Sequence, residues 1–244
     1  MAKAINSKPE TAVIVIPTYN EAENIGRMIE YLCTKTFPSL DKKWQMKILV
    51  VDGNSPDGTG KVVEKMAKKY KDVSLKEIQK LLDSKIHEYR LTGLLVLVEK
   101  YKEDKELVYN FYIKNFRNIN NWDLVDLTAP KIMGDFLKDK KKDILYSLAI
   151  SDDLWERRIS IIVTFAVIKD NDFKDALKIS KILLNDKHDL IHKAVGWMLR
   201  EIGKRDKEVE TEFLDKHYRI MPRTMLRYSI EKFNPREKEF YMKK

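Results

Sequence analysis

A single cysteine, Cys33, occurs in the 244 residues, which excludes an internal disulfide and any cysteine-rich zinc site and suits a reducing cytosol. Histidine is nearly as scarce. Of His87, His188, His192 and His217, only His188 and His192 have the spacing of one helical face, and no acidic metalloprotease context accompanies them. That pair reads as surface, and nothing in the chain calls for a metal or another cofactor. No apolar run reaches about 18 residues and no secretory leader opens the chain, so the expectation is a soluble, cytoplasmic protein with no membrane partner. Glycine is sparse and lopsided: Gly26, Gly53, Gly58 and Gly60 fall within the first 60 residues, and only Gly93, Gly134, Gly196 and Gly203 serve everything after.

Charge is lopsided too. Residues 1–60 carry seven Lys/Arg and seven Asp/Glu, so the whole formal net charge of +9 lies in residues 61–244. A basic excess on a helical body suits a polyanion, most often nucleic acid, because neutralised phosphates release counterions. Solvated faces of Lys-rich helices explain the same excess equally well. A chain of this length makes one large domain or two small ones and can bury roughly 70–75% of its unfolded surface.

Residues 1–60 read as a β-α-β unit. The apolar run Ala12–Ile16 ends at Pro17, and Asn20 with Glu21 and Glu23 offers an N-cap and an acidic first turn for a helix reaching about Leu32. A loop containing Pro38 leads to a second buried strand, Lys47–Val51, and then to Asp52-Gly-Asn-Ser-Pro-Asp-Gly-Thr59. Both loops lie at strand C-termini, where open α/β sheets bind ligands. The segments Ile16-Pro-Thr-Tyr-Asn-Glu-Ala-Glu-Asn24 and Val50-Val-Asp-Gly-Asn-Ser-Pro-Asp-Gly-Thr59 resemble the nucleotide-binding start of family 2 glycosyltransferases, the dolichol-phosphate mannose synthase-like group in particular. The resemblance implies nucleoside contacts for Pro17, Tyr19, Glu21 and Asp52. The family's metal-binding Asp-x-Asp some forty residues further on, its acceptor base and its remaining strands do not follow. Asp170-Asn-Asp172 is the one Asp-x-Asp of the chain, and it closes a helix in a different context. Two strands with one or two helices cannot cover both faces of a parallel sheet, so the stretch reads as a truncated fragment with a vestigial nucleotide site.

From Val62 onward, apolar residues recur with a 3.6-residue period through about ten helices. Their joints fall at Asp72–Ser74, Asp83-Ser84, Glu103-Asp104, Asn118–Asn121, Asp152-Asp153, Asp170–Asp172, Asn185-Asp186 and Pro222. Ser74 and Glu77 have capping-box spacing, and Asp83/Ser84 and Asp152/Asp153 are N-cap candidates. Helix pairs recur every ~35–40 residues, the texture of stacked α-α repeats of the HEAT type, whose concave face binds partners. Trp122, Trp155 and Trp197 each lie near the start or middle of a helix beside charge. Core packing is the commoner role for such a Trp. Asp126, however, follows Trp122 by four residues and shares its face. An aromatic plane beside a carboxylate in a Lys/Arg-rich groove suits a cationic ligand better than a core.

The segments Ile86-His-Glu-Tyr-Arg90, Asn121-Trp-Asp-Leu-Val-Asp126, Trp155-Glu-Arg-Arg158, Lys193-Ala-Val-Gly-Trp-Met-Leu-Arg-Glu201 and Pro222-Arg-Thr-Met-Leu-Arg227 carry a second resemblance. In order and spacing, from about Lys68 to the C-terminus, they resemble the AlkD-type DNA alkylation repair family, HEAT-like DNA glycosylases. The resemblance implies a monofunctional glycosylase that removes cationic N3- or N7-alkylpurines from duplex DNA without flipping the base. Asp126 would be catalytic, stabilising positive charge on the deoxyribose and positioning water, and Trp122 and Trp197 would contact the lesion's sugar and backbone. Arg158 would hold a phosphate near the lesion, with Arg200, Arg223, Arg227 and Trp155 as further DNA-binding residues. For the three arginines other than Arg158, a solvated helix face accounts for the residue as well.

Members of that family begin with a helical segment whose aromatic helps line the lesion site, and here the β-α-β stretch stands in its place. Lys61–Val73 fits both the helix after the transferase's second strand and the helix entering the repeats, as expected of a fusion joint. The expectation is therefore a mainly α chain. It has a Rossmann-like β-α-β appendage over 1–60, a shared junction helix over 61–73 and a HEAT-like superhelix over 74–244. It would act as a monomer on double-stranded DNA containing alkylated bases. The alternatives are a non-catalytic duplex-DNA binder that uses the same groove and, third, a family 2 glycosyltransferase using a nucleotide sugar.

Overall fold

The computed structural model describes residues 10–41, 44–53, 55–69 and 73–243. The chain divides into two compact units between Glu77 and Ile78. In the first, strands β1 (Glu10–Thr18) and β2 (Trp44–Asp52) pair in parallel, with Ile14 opposite Ile48 and Thr18 opposite Asp52. Helix α1 (Ile25–Tyr31) lies between them in sequence, and α2 (Thr59–Lys69) follows β2. The β-α-β unit is present, each strand longer than its apolar run. The strands are not buried as expected: Ala12, Val13, Ile14, Ile16 and Ile48 keep partial exposure and Val15 is exposed. Two strands present more sheet face than so few helices cover.

Two local expectations are corrected. The helix starts at Ile25, with Asn24 at its cap and no acidic residue in its first turn. Asn20 instead takes a φ of 57°, and its backbone N–H donates to Ser55 Oγ at 2.9 Å. Pro38 sits in a helical turn, Phe37–Ser39, entered through a π-helical stretch over Leu32–Thr36. The helical path runs unbroken from Ile25 to Ser39, so Pro38 falls in its last turn, where the missing N–H costs one hydrogen bond. Of the expected junction helix over 61–73, the chain is helical as far as Lys69. Residues 70–72, including Asp72 of the expected joint, lie outside the described residues. Ser74 and Glu77 do form a capping box at the head of α3 (Leu75–Leu82): Glu77 N–H donates to Ser74 Oγ at 3.3 Å and Ser74 N–H to Glu77 Oε2 at 3.0 Å.

The second unit contains only helices and connections among its described residues. They are α4 (His87–Lys100), α5 (Lys105–Lys114), α6 (Trp122–Ala129), α7 (Asp143–Ala149), α8 (Leu154–Ile162), α9 (Phe165–Ile168), α10 (Lys174–Ile182), α11 (Asp189–Gly203), α12 (Lys207–His217), α13 (Arg223–Ser229) and α14 (Pro235–Met242). They are shorter and more numerous than the ten or so expected. One reason is that the chain after α6 stays helical through a π-helical turn, Pro130–Gly134, before a last α turn. Asp153 caps α8 by accepting the Trp155 and Glu156 N–H groups at 2.7 and 3.2 Å. Asp83 and Ser84 do not cap α4; the cap residue is Ile86, whose N–H donates to Ser84 Oγ at 3.1 Å.

Side-chain ties join neighbouring helix pairs at separations of 36 residues for His87–Asp123, as the expected repeat has it, but 29 for Arg157–Asp186 and 31 for Arg200–Glu231, shorter than expected. A local device also recurs. Arg90 and Arg157 each donate Nη1 to the carbonyl six residues back, at 2.9 and 2.8 Å, and His192 Nε2 meets the Asp186 carbonyl oxygen in the same way at 2.5 Å. At the centre lies α11, whose Ile191, Val195, Met198, Leu199 and Ile202 are buried at helical spacing.

One buried acid stands out. Glu210 of α12 is buried, its carboxyl lies directly over Gly203, and Oε1 has no hydrogen-bond partner. Burial pushes its pKa up to about 8, against the opposing charges of Lys207 and Arg200. A carboxyl raised in the folded state favours folding fully below its ordinary 4.5 and loses that contribution as pH rises towards about 8. Glu210→Gln should therefore be more stable than the parent at pH 8, by up to roughly 4 kcal/mol, with the gap closing towards pH 4.5. Thermal midpoints taken across that range check this, and parallel curves for the two proteins would contradict it.

Candidate functional site

Helix α6 begins at Trp122 because the side chain of extended Asn121 accepts the Trp122 N–H at 2.8 Å. Leu124, Val125, Thr128 and Ala129 turn inward, and Trp122 and Asp126, four residues apart, share the adjoining face, where Trp122 is exposed and Asp126 half-buried. Helix α8 carries Arg158, and α11 carries Leu190, Lys193, Trp197 and Arg200 at spacings of three, four and three residues, a single helical stripe. With Tyr228 of α13 these residues line a cleft of about 370 Å³. Trp122 is 53% exposed at its edge.

Arg158 is 5% exposed and grips the carboxylate of Asp126 with both ends of its fork, Nε to Oδ1 at 2.9 Å and Nη2 to Oδ2 at 2.7 Å. Its Nη1 donates to the Leu190 carbonyl at 2.5 Å, tying α8 to the head of α11. Paired, planar hydrogen bonds of this kind fix both position and orientation of a carboxylate. Burial pushes the Asp126 carboxyl above the usual range, Arg158 opposes the rise by hydrogen bonding and charge, and Asp123 adds to it. Asp123 is itself held by His87 Nε2 at 2.7 Å. The indole of Trp197 donates Nε1–H to Glu201 at 3.2 Å and packs at 5.7 Å against Phe165, so the ring is held from two sides.

Of the residues singled out in sequence, Trp122, Asp126, Arg158, Trp197 and Arg200 come together here, and Trp155, Arg223 and Arg227 do not line the cleft. Trp155 is half-buried behind the Asp153 cap, Arg223 donates Nη2 to the Met242 carbonyl at 2.6 Å, and Arg227 is exposed. Arg200 pairs with Glu231, and its Nε is buried without a partner. Leu190, Lys193 and Tyr228 complete the lining, though none was a site candidate in the sequence. The stripe they share with Trp197 could have revealed Leu190 and Lys193, whereas Tyr228 arrives from another helix and had no local signal. His188 and His192 hold the head of α11, His188 Nδ1 accepting the Leu190 N–H at 3.2 Å.

In the first unit, the loops bearing Tyr19, Glu21 and Asp52 are laced to each other. Asp52 accepts from the Ser55 hydroxyl, the Glu21 N–H donates to Thr59 Oγ1 at 2.8 Å and the Ala22 N–H to Asp57 Oδ2 at 3.0 Å. Pro17 is paired with Val51 in the sheet, and Tyr19 is exposed. Asp170 pairs with Lys138 at 2.5 Å, and Asp172 accepts the Lys174 N–H at 3.3 Å. Among the described residues, no group of three or more His, Cys, Asp or Glu converges as a metal site, and no helix is long and apolar enough to cross a membrane.

Comparison with known proteins separates the same two regions. A family described as DNA alkylation repair enzyme matches residues 59–233, and glycosyl transferase family 2 matches residues 13–80. Among curated proteins, glycosyltransferase AglE of Haloferax volcanii is 34% identical over 62 residues, 25% of this chain. The matched part is 19% of AglE, so the chain spans a small part of that relative. Among solved structures, a predicted DNA alkylation repair enzyme from Enterococcus faecalis superposes with a TM-score of 0.56 at 15% identity, over 72% of this chain and 84% of that one. That likeness shows a shared fold.

Proposed function

Because the chain belongs to the DNA alkylation repair enzyme family, we propose that it hydrolyses the N-glycosidic bond of N3- or N7-alkylated purines in duplex DNA. The observation that carries this reading is a carboxylate, Asp126, held in a two-pronged grip by Arg158 inside a cleft edged by Trp122 and Trp197. A purine alkylated at N3 or N7 is already cationic and leaves with little acid catalysis. The demand is therefore for negative charge beside the deoxyribose as the bond to C1′ breaks. Asp126 supplies that charge where water is partly excluded and electrostatic effects are stronger than in bulk solvent. The same carboxylate orients the water that adds to C1′.

Arg158 takes a different role from the phosphate contact expected of it. Its guanidinium is buried and engaged with Asp126 and Leu190, which supports a role in keeping the carboxylate ionised and aimed. Trp122 and Trp197 offer flat apolar faces to the sugar and backbone of the lesion, and the base would depart from within the duplex, in contrast to the usual flipping of glycosylases. The protein would work as a cytoplasmic monomer on double-stranded DNA, without a cofactor. Residues 13–80 would be a vestigial nucleotide-binding piece with Pro17, Tyr19, Glu21 and Asp52 at its loops. The overlap of the two family matches over residues 59–80 supports a fusion through a shared helix.

Incubation of the full chain with methylated duplex DNA, in the presence of a chelator, should release 7-methylguanine or 3-methyladenine and leave abasic sites. Folded protein that binds duplex DNA yet releases no base would instead be a non-catalytic binder.

A further inference from the structure

Among the described residues three cations line the cleft, and they differ in what already holds them. The side chains of Arg158 and Arg200 are 6% and 18% exposed, and that of Lys193 is 39% exposed. Arg158 is engaged by Asp126 and the Leu190 carbonyl, and Arg200 by Glu231. Lys193 pairs with Asp189, one turn earlier on α11, at 2.7 Å. The Asp189 side chain is 53% exposed, and a solvated pair of this kind within one helix is weak.

We propose that Lys193 is the residue that takes the phosphodiester next to the lesion, and that Asp189 holds it in the free protein and yields it to DNA. The proposal rests on the glycosylase reading and names the phosphate contact of that same cleft. A lysine ammonium is a compact point charge on a four-carbon stem, so it swings from one oxyanion to another without any helix moving; the buried fork of Arg158 has no such freedom. Asp189 is not stranded by the exchange, since its side chain is at the surface, where water takes the place of the lysine. Trp197 follows Lys193 by four residues on the same face. A phosphate on Lys193 therefore places its sugar along the indole and in the direction of Asp126. In the free protein the hydrogen bond from Lys193 to Asp189 and the nearby negative charge raise the lysine's pKa above its ordinary value, and once Asp189 yields it the phosphodiester is the anion that holds it charged. A charged amine is no nucleophile towards the aldehyde of an abasic site, so the role is electrostatic and not covalent.

The test measures binding of the full chain to a duplex bearing a tetrahydrofuran abasic analogue, as log K against log salt. Lys193→Gln should lower the slope by about 1 and weaken binding about tenfold at low salt, and Lys193→Arg should keep the parental slope. Asp189→Asn removes the competing anion and should tighten binding roughly threefold. A parental slope in Lys193→Gln, with the parent binding normally, overturns this proposal and leaves the glycosylase reading standing. Unchanged or weaker binding by Asp189→Asn overturns the exchange. A parent that binds no duplex at any salt sinks both readings together.

Discussion

Asp126→Asn is expected to bind methylated duplex DNA and release base at least about 10²–10³-fold more slowly than the parent in single-turnover assays. The substitution keeps the size of the side chain and removes only the negative charge. One amide oxygen still accepts from Arg158, but the amide nitrogen now faces a guanidinium donor, so folding is monitored beside activity. The companion change, Arg158→Met, separates charge from position. Without the opposing cation, burial raises the Asp126 carboxyl further, and because the ionised form does the work, activity is lost at higher pH on the acid side than in the parent. A pH profile of the single-turnover rate reads that displacement directly. Parental release by Asp126→Asn would remove the carboxylate from the mechanism, and an unmoved acid limb in Arg158→Met would remove the arginine from its control.

The second large effect is structural. A Cβ at Gly196 would lie 2.5 Å from the Met225 carbonyl oxygen and 2.5 Å from Tyr228 Cβ, so α11 and α13 meet backbone to backbone where only glycine fits. Gly196→Ala has to push the two helices apart, since neither a carbonyl nor a Cβ can swing aside. Overpacking of this kind costs about 3 kcal/mol, equivalent to a fall of roughly 6–12 °C in thermal midpoint for a unit of this size. Tyr228 lines the cleft and Trp197 follows Gly196, so weaker DNA binding should accompany the lower midpoint. A midpoint within about 2 °C of the parent would show that the two helices separate at little cost.

The residues that were legible in advance are those whose roles are set by near neighbours in the chain. Ser74 and Glu77 close a capping box, and Asp153 caps its helix, because a free N–H at a helix start takes whichever acceptor lies two or three residues away. Asp126 shares a face with Trp122 because four residues make about one helical turn. The β-α-β unit followed from two apolar runs of strand length. Even these local signals failed where a contact from elsewhere competed, as at Asn20: the Ala22 N–H that its side chain would have capped is taken by Asp57 across 35 residues.

Periodicity and hydrogen bonds spanning a few residues were enough for the helical character of the second unit, the β-α-β character of the first and the placing of an indole beside a carboxylate on one helix face. The change of family between the units rested on the resemblance carried by particular segments. Which charges meet was left to tertiary packing. Arg158 reaches Asp126 across 32 residues and Arg200 reaches Glu231 across 31, which leaves Lys193 as the loosely held cation of the cleft. Burial, which raises the carboxyls of Asp126 and Glu210, is likewise a property of helices packed together, because the dielectric around a group depends on what covers it and not on its place in the chain.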